Sequence, residues 1–182
     1  MMPSFPMVLA ASTADGTAVT VTAATTLLHG SGVATIPAGA LQIGSQLKIT
    51  LRGRMNTVVT TPGTTTFDVR FGGVVISALG AIPLNIVAQT NAAWELEILV
   101  TIRALGTGTT ANALVTAKFV SRAIVGSAAA AAGGNGTIVL PDTAPAVGTG
   151  FDSTLAQTVN VFVTNTVAGS ITCHQSVIEL KV

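Results

Sequence analysis

Charge, aromatic residues and cysteine are all scarce in this 182-residue sequence. Only 8% of its residues are charged, against about 25% in an average soluble protein. The formal net charge of +1 gives no electrostatic ground for nucleic acid or an acidic lipid surface as the main partner. Aromatics make up 4%, with no tyrosine and one tryptophan, so platforms for stacking a sugar are few. The single cysteine, Cys173, excludes an internal disulfide framework and a cysteine-rich zinc site, and it permits folding in a reducing cytoplasm. Helical periodicity is missing as well. No stretch of about 12 residues, the length at which an isolated helix becomes marginal, has an amphipathic helical pattern.

Mean hydropathy is high, at +0.69, which raises the question of a membrane span. One long uncharged run, 71–94, contains Gly72, Gly73, Pro83, Asn85, Gln89 and Asn91 and reads as strand, turn and strand rather than a spanning helix. The apolar patch within 1–12 has no Lys or Arg before it, which argues against a secretory signal.

Period-two alternation dominates what is present. Within 46–54, Leu47, Ile49 and Leu51 alternate with Lys48, Thr50, Arg52 and Arg54. Phe67, Val69 and Phe71 oppose Asp68 and Arg70. Within 93–103, Trp94, Leu96, Ile98, Val100 and Ile102 oppose Glu95, Glu97, Thr101 and Arg103. Within 112–122, Ala113, Val115, Ala117 and Phe119 alternate with Thr116, Lys118 and Arg122. The segments 18–23, 74–79, 158–164 and 171–181 are β-rich with weaker alternation, and 25–28, 33–36 and 137–140 are shorter apolar pieces. Val, Ile and Thr fill these segments, as a pleated surface favours. Asp15-Gly16 suits a tight hairpin, Pro62-Gly63 a turn and Gly72-Gly73 a strand-to-strand bend.

About eight to ten strands with no helical layer imply sheet packed on sheet: an all-β antiparallel sandwich or jelly roll. The expected organisation is an N-terminal arm over 1–17 and a single jelly-roll domain over 18–182, with an adaptable Ala/Gly-rich loop at 125–136. The strand charges fall almost entirely opposite the apolar rows and read as a solvated or inter-subunit sheet face. Such a low charge fits a surface partly covered by other subunits. Edge strands with few Lys or Pro guards point the same way, to a homo-oligomer.

The search for chemistry is short. Cys173 and His174 are neighbours on one strand and point to opposite faces, so they make no nucleophile–base pair. His29, His174 and scattered carboxylates offer no metal-ligand spacing. Asp15, Asp142 and Asp152 lie in loops without calcium-loop context. Glu95 and Glu97 share a strand face about 6.6 Å apart by strand rise, a separation that glycoside hydrolysis can use, but no aromatic platform accompanies them. The glycine clusters match no phosphate loop. We therefore expect no enzyme activity, catalytic residue, cofactor or metal. The apolar, proline-punctuated start reads as an arm that lies in a groove of another subunit, with Met2, Phe5 and Met7 as the contact residues.

The run His29-Gly30-Ser31-Gly32, then Ile36-Pro37-Ala38-Gly39-Ala40-Leu41 and Ile43-Gly44, leads into the basic strand 47–54. It continues through 64–71, Gly72-Gly73-Val74 and Trp94-Glu95-Leu96-Glu97, and closes on Ile171-Thr172-Cys173 and Val177-Ile178-Glu179-Leu180. Over about 25–182 this pattern of strands and turns resembles the jelly-roll virion structural proteins of tailed bacteriophages. The resemblance implies a capsid decoration (cement) protein, or alternatively a tail fibre or receptor-binding module. A cement protein of this kind is expected as a trimer on the capsid surface of the virion, made in the host cytoplasm. It would contact the major capsid protein, with neither nucleic acid nor membrane as partner.

Overall fold

The computed structural model describes residues 6–58, 63–125, 136–142, 147–148, 150–167 and 169–182. Within them run β1 (Met7–Ala11), β2 (Thr25–Thr26), β3 (Ala34–Ile36), β4 (Gln46–Asn56), β5 (Thr64–Phe71) and β6 (Val74–Pro83). There follow β7 (Ala92–Ala104), β8 (Asn112–Ser121), β9 (Thr137–Leu140), β10 (Gln157–Asn165) and β11 (Ser170–Lys181). The described residues contain no α-helix, only a 3-10 turn at Gly30–Gly32.

The strands form two antiparallel sheets. One is ordered β1-β11-β4-β7-β8-β9; the other is ordered β2-β10-β5-β6, with β3 also on β10. The alternation read from the sequence sets which residues face the interior. Leu47, Ile49 and Leu51 of β4, Leu96, Ile98 and Val100 of β7, and Val159, Val161 and Val163 of β10 are all buried. Burying one such aliphatic side chain contributes about 1.5–3 kcal/mol. Five of the aromatic residues gather in two groups. Phe67 of β5 meets Phe119 of β8 and Trp94 of β7 across the sheets, at 5.2 and 6.4 Å between ring centroids. Phe71 packs edge-on against Phe151 at 4.9 Å.

Several local expectations change in the fold. The hairpin expected at Asp15-Gly16 and the strand expected over 18–23 do not form. After β1, the chain instead follows the edge of β11. Ser12, Gly16 and Val19 donate their amides to the carbonyls of Ser176, Cys173 and Ile171 in turn. A bulge in β11 between Cys173 and Gln175 breaks its regular spacing, so the accompanying chain makes separate bonds rather than a ladder. From Met7 onward, the expected arm therefore lies on the protein's own sheet, with Met7 opposite Leu180. Residues 1–5 fall outside the described residues, as do Pro62 and the alanine run of the 125–136 loop.

The sheet edges are also less open than their lack of charge suggests. β6 carries a left-handed Gly80, register shifts against β5, and Pro83 at its end. β1 has a register shift between Val8 and Ala10, and β9 is four residues long. Short and bulged edges resist pairing with another chain, so the edges by themselves do not demand a covering subunit.

Candidate functional site

Apart from Asp68 and Arg70 on β5, every strand-borne charge lies on β4, β7, β8 or β11 of the six-stranded sheet. Antiparallel register turns alternation into cross-strand pairs. Arg52 stands opposite Glu95 and its Nε donates to that carboxylate at 2.7 Å. Lys48 reaches diagonally to Glu97 at 2.8 Å, and that hydrogen bond is the main cause holding its ammonium pKa above the usual lysine value. Glu95 and Glu97, considered above as a carboxylate pair, are each engaged by a cation.

One end of this face is different. Arg54, the last basic residue of β4, stands opposite Ala93 of β7. Arg122 follows Ser121, the β8 partner of Trp94. The two guanidiniums turn to consecutive carbonyls of the loop before β7. Arg122 Nη2 donates to Thr90 O at 3.1 Å and Arg54 Nη1 to Asn91 O at 3.3 Å. Asn91 is the one non-glycine residue with a positive φ, +53°, among the described residues. Its amide donates to Asn56 Oδ1 at 2.7 Å, which ties the loop to the end of β4. Asn tolerates the left-handed region because its short polar side chain bonds locally.

A depression of about 840 Å³ opens here, with Arg52, Arg54, Arg122, His174, Gln175 and Asn91 among its lining residues. Two small residues make the room. Ala93 is exposed beside Arg54, and Gly53 lies over the indole of Trp94. A Cβ at Gly53 would run into the Thr172 carbonyl and come within 2.7 Å of the Trp94 ring. The β11 bulge brings both His174 and Gln175 to the surface. His174 Nδ1 lies 2.9 Å from an Asp15 carboxylate oxygen. Arg52 is offset by Glu95, and the His174 ring lies against the Asp15 carboxylate. Among the described residues, Arg54 and Arg122 have no carboxylate within ion-pair distance, so the depression carries unbalanced positive charge.

The other sequence candidates are scattered. Cys173 is buried, beside the exposed His174 and facing away from it. Burial pushes its thiol up to about 11, a poor state for a nucleophile. His29 caps the 3-10 turn, with Nδ1 accepting the Ser31 amide. The Asp152 carboxylate accepts the amides of Gly108 and Thr154 and the Thr154 hydroxyl. These bonds, the hydroxyl foremost, lower its pKa, so it is a loop staple. Met7 is exposed on β1, while Met2 and Phe5 fall outside the described residues. No group of three His, Cys, Asp or Glu side chains comes together for a metal among the described residues. No helix there is long and apolar enough to cross a membrane.

No protein-family model, curated protein or solved structure matches this chain. The depression was not legible in the sequence. Its only local signals are an arginine on the outward phase at the ends of two strands and an alanine at the start of a third. Only the order β4-β7-β8 sets them side by side.

Proposed function

We propose that this chain is a phage capsid decoration (cement) protein that acts as a structural module rather than an enzyme, with the jelly roll as its fold. Nested pairing supports the jelly roll: β1 with β11, β2 and β3 with β10, β4 with β7, and β5 with β6. This is the pattern of one long hairpin rolled up, stitched by the further pairs β11·β4 and β10·β5. The β8–β9 hairpin extends the first sheet beyond it.

The observation that carries the functional reading lies at the end of the sandwich away from the depression. Loops there are laced together. Gly39 donates its amide to the Ser153 carbonyl, the Gly106 amide bonds Ser153 Oγ, and Gly44 donates to the Ile102 carbonyl. On them Ile43, Leu105 and Leu155 are 68%, 41% and 59% exposed. Apolar side chains held outward on braced loops suit a surface that another protein covers. On a capsid, each seated copy would bury apolar area across a seam between capsomers, at about 25 cal/mol per Å², less the cost of ordering. The proposal includes a homo-oligomer, with the trimer as the form that the resemblance implies.

Quantitative mass spectrometry of purified particles tests this reading. A copy number comparable with the major capsid protein is expected, and I43D with L155D should abolish capsid binding while leaving the sandwich folded. A few copies per particle would instead place the protein at the tail. That outcome would favour the second reading, a fibre or receptor-binding module, for which the arginine-lined depression is the supporting observation.

A further inference from the structure

We propose that the depression between β4, β7 and β8 binds an anionic saccharide unit, whose carboxylate or sulfate is held by Arg54 and Arg122. The inference stands apart from the cementing role, because it concerns the opposite end of the sandwich and needs no capsid. Planar guanidinium groups pair with oxyanions through two parallel hydrogen bonds. Both guanidiniums are already oriented by loop carbonyls at Thr90 and Asn91, each through one nitrogen, so other N–H groups remain to be used. The Arg52–Glu95 pair beside them is internally neutral, leaving the two oriented arginines as the net charge a ligand meets.

Size and surroundings choose the ligand class. At about 840 Å³ the depression falls within the roughly 300–1,000 Å³ typical of small-molecule sites, well above the needs of one carboxyl group. Asn91 and Gln175 add amide side chains and His174 a ring nitrogen to the lining, groups that hydrogen-bond hydroxyls. The one aromatic residue in the lining, Trp94, is 3% exposed. A neutral sugar would therefore find no stacking face, and the anionic group must supply the attraction. An extended peptide fits less well. β7 lies between β4 and β8, so no free strand edge opens here for a peptide backbone to join.

Calorimetric titration of the full chain with oligogalacturonate, with a sulfated dextran oligomer and with a neutral galactan oligomer tests the proposal. At least one anionic oligomer should bind, more weakly as salt rises, and the neutral one should not. R54Q and R122Q should each weaken binding about ten-fold or more, and R54K should fall short of full rescue because it restores charge without the fork. R103Q, a change to an exposed arginine at the opposite end of β7, should leave binding unchanged. Three results would overturn the inference: no binding of either anionic oligomer, equal binding of the neutral one, or indifference to both arginine substitutions. Binding of a Glu-rich peptide in place of any saccharide would also overturn it and assign the depression to a protein partner.

Discussion

Each sheet displays ion pairs on its outer face, but the pairs live in different surroundings. On the six-stranded sheet, Lys48–Glu97 and Arg52–Glu95 keep 44–55% of each side chain exposed. On the five-stranded sheet, Asp68 and Arg70 retain only 14% and 20%. Arg70 also lies 3.8 Å over the ring of Phe162, and its Nε is buried without a hydrogen-bond partner. Water screens the first kind of pair almost completely, and such a pair contributes about 0–1 kcal/mol. The second kind has exchanged water for a carboxylate and an aromatic face, so each partner depends on the other. Charge on the first sheet is free to meet a ligand or a neighbour, whereas on the second it is committed to the fold.

Alkaline titration reaches the buried side of the six-stranded sheet and should give the largest effect. The Cys173 thiol titrates near 9.0 when unfolded and near 11 when folded. Between those values the unfolded chain has released a proton that the folded chain retains. The contribution of Cys173 is therefore fully present below pH 9 and is lost as pH rises to 11, a change of about 2–3 kcal/mol. Urea denaturation of the protein and of C173A across pH 8–11 isolates this group, because the arginines and lysines are common to both curves. Parallel curves would contradict the assignment.

Removing Asp68 tests the five-stranded face directly. D68A leaves the Arg70 guanidinium covered and without its acid, and should cost about 2 kcal/mol in the urea midpoint. The double variant D68A/R70M should recover most of that loss, since no buried charge remains. A D68A cost within the error of the measurement would place this pair with the screened ones. The smallest effect should come from the other sheet: E95Q and E97Q should each shift stability by under about 0.5 kcal/mol, and less at high salt. A loss in E95Q comparable with that in D68A would abolish the distinction between the two faces.

Much of the fold was legible because a strand buried on one face must alternate. β5 coincides with the expected run over 64–71, β8 stops just short of the end of its expected 112–122, and β4, β7, β10 and β11 extend their expected cores slightly. The 18–23 segment misled because Val and Thr favour a strand wherever they occur, yet pairing needs a regular partner edge. The bulge in β11 provides only separate anchoring points there. The course of 7–11 was not legible for a related reason: Met7, Val8 and Leu9 are apolar, but composition cannot say which edge they cover.

The all-β class, the inward and outward faces of the long strands and the scarcity of charge all follow from local alternation and composition. Which outward residues meet depends instead on how the strands assemble. Arg54 on β4 and Arg122 after β8 are brought to the two sides of Ala93 on β7 by sheet order and register. Order and register are set by packing between segments far apart in the chain. The same packing separates the exposed pairs of one face from the covered Asp68–Arg70 pair of the other, although each is an acid and a base on the outward phase of alternating strands.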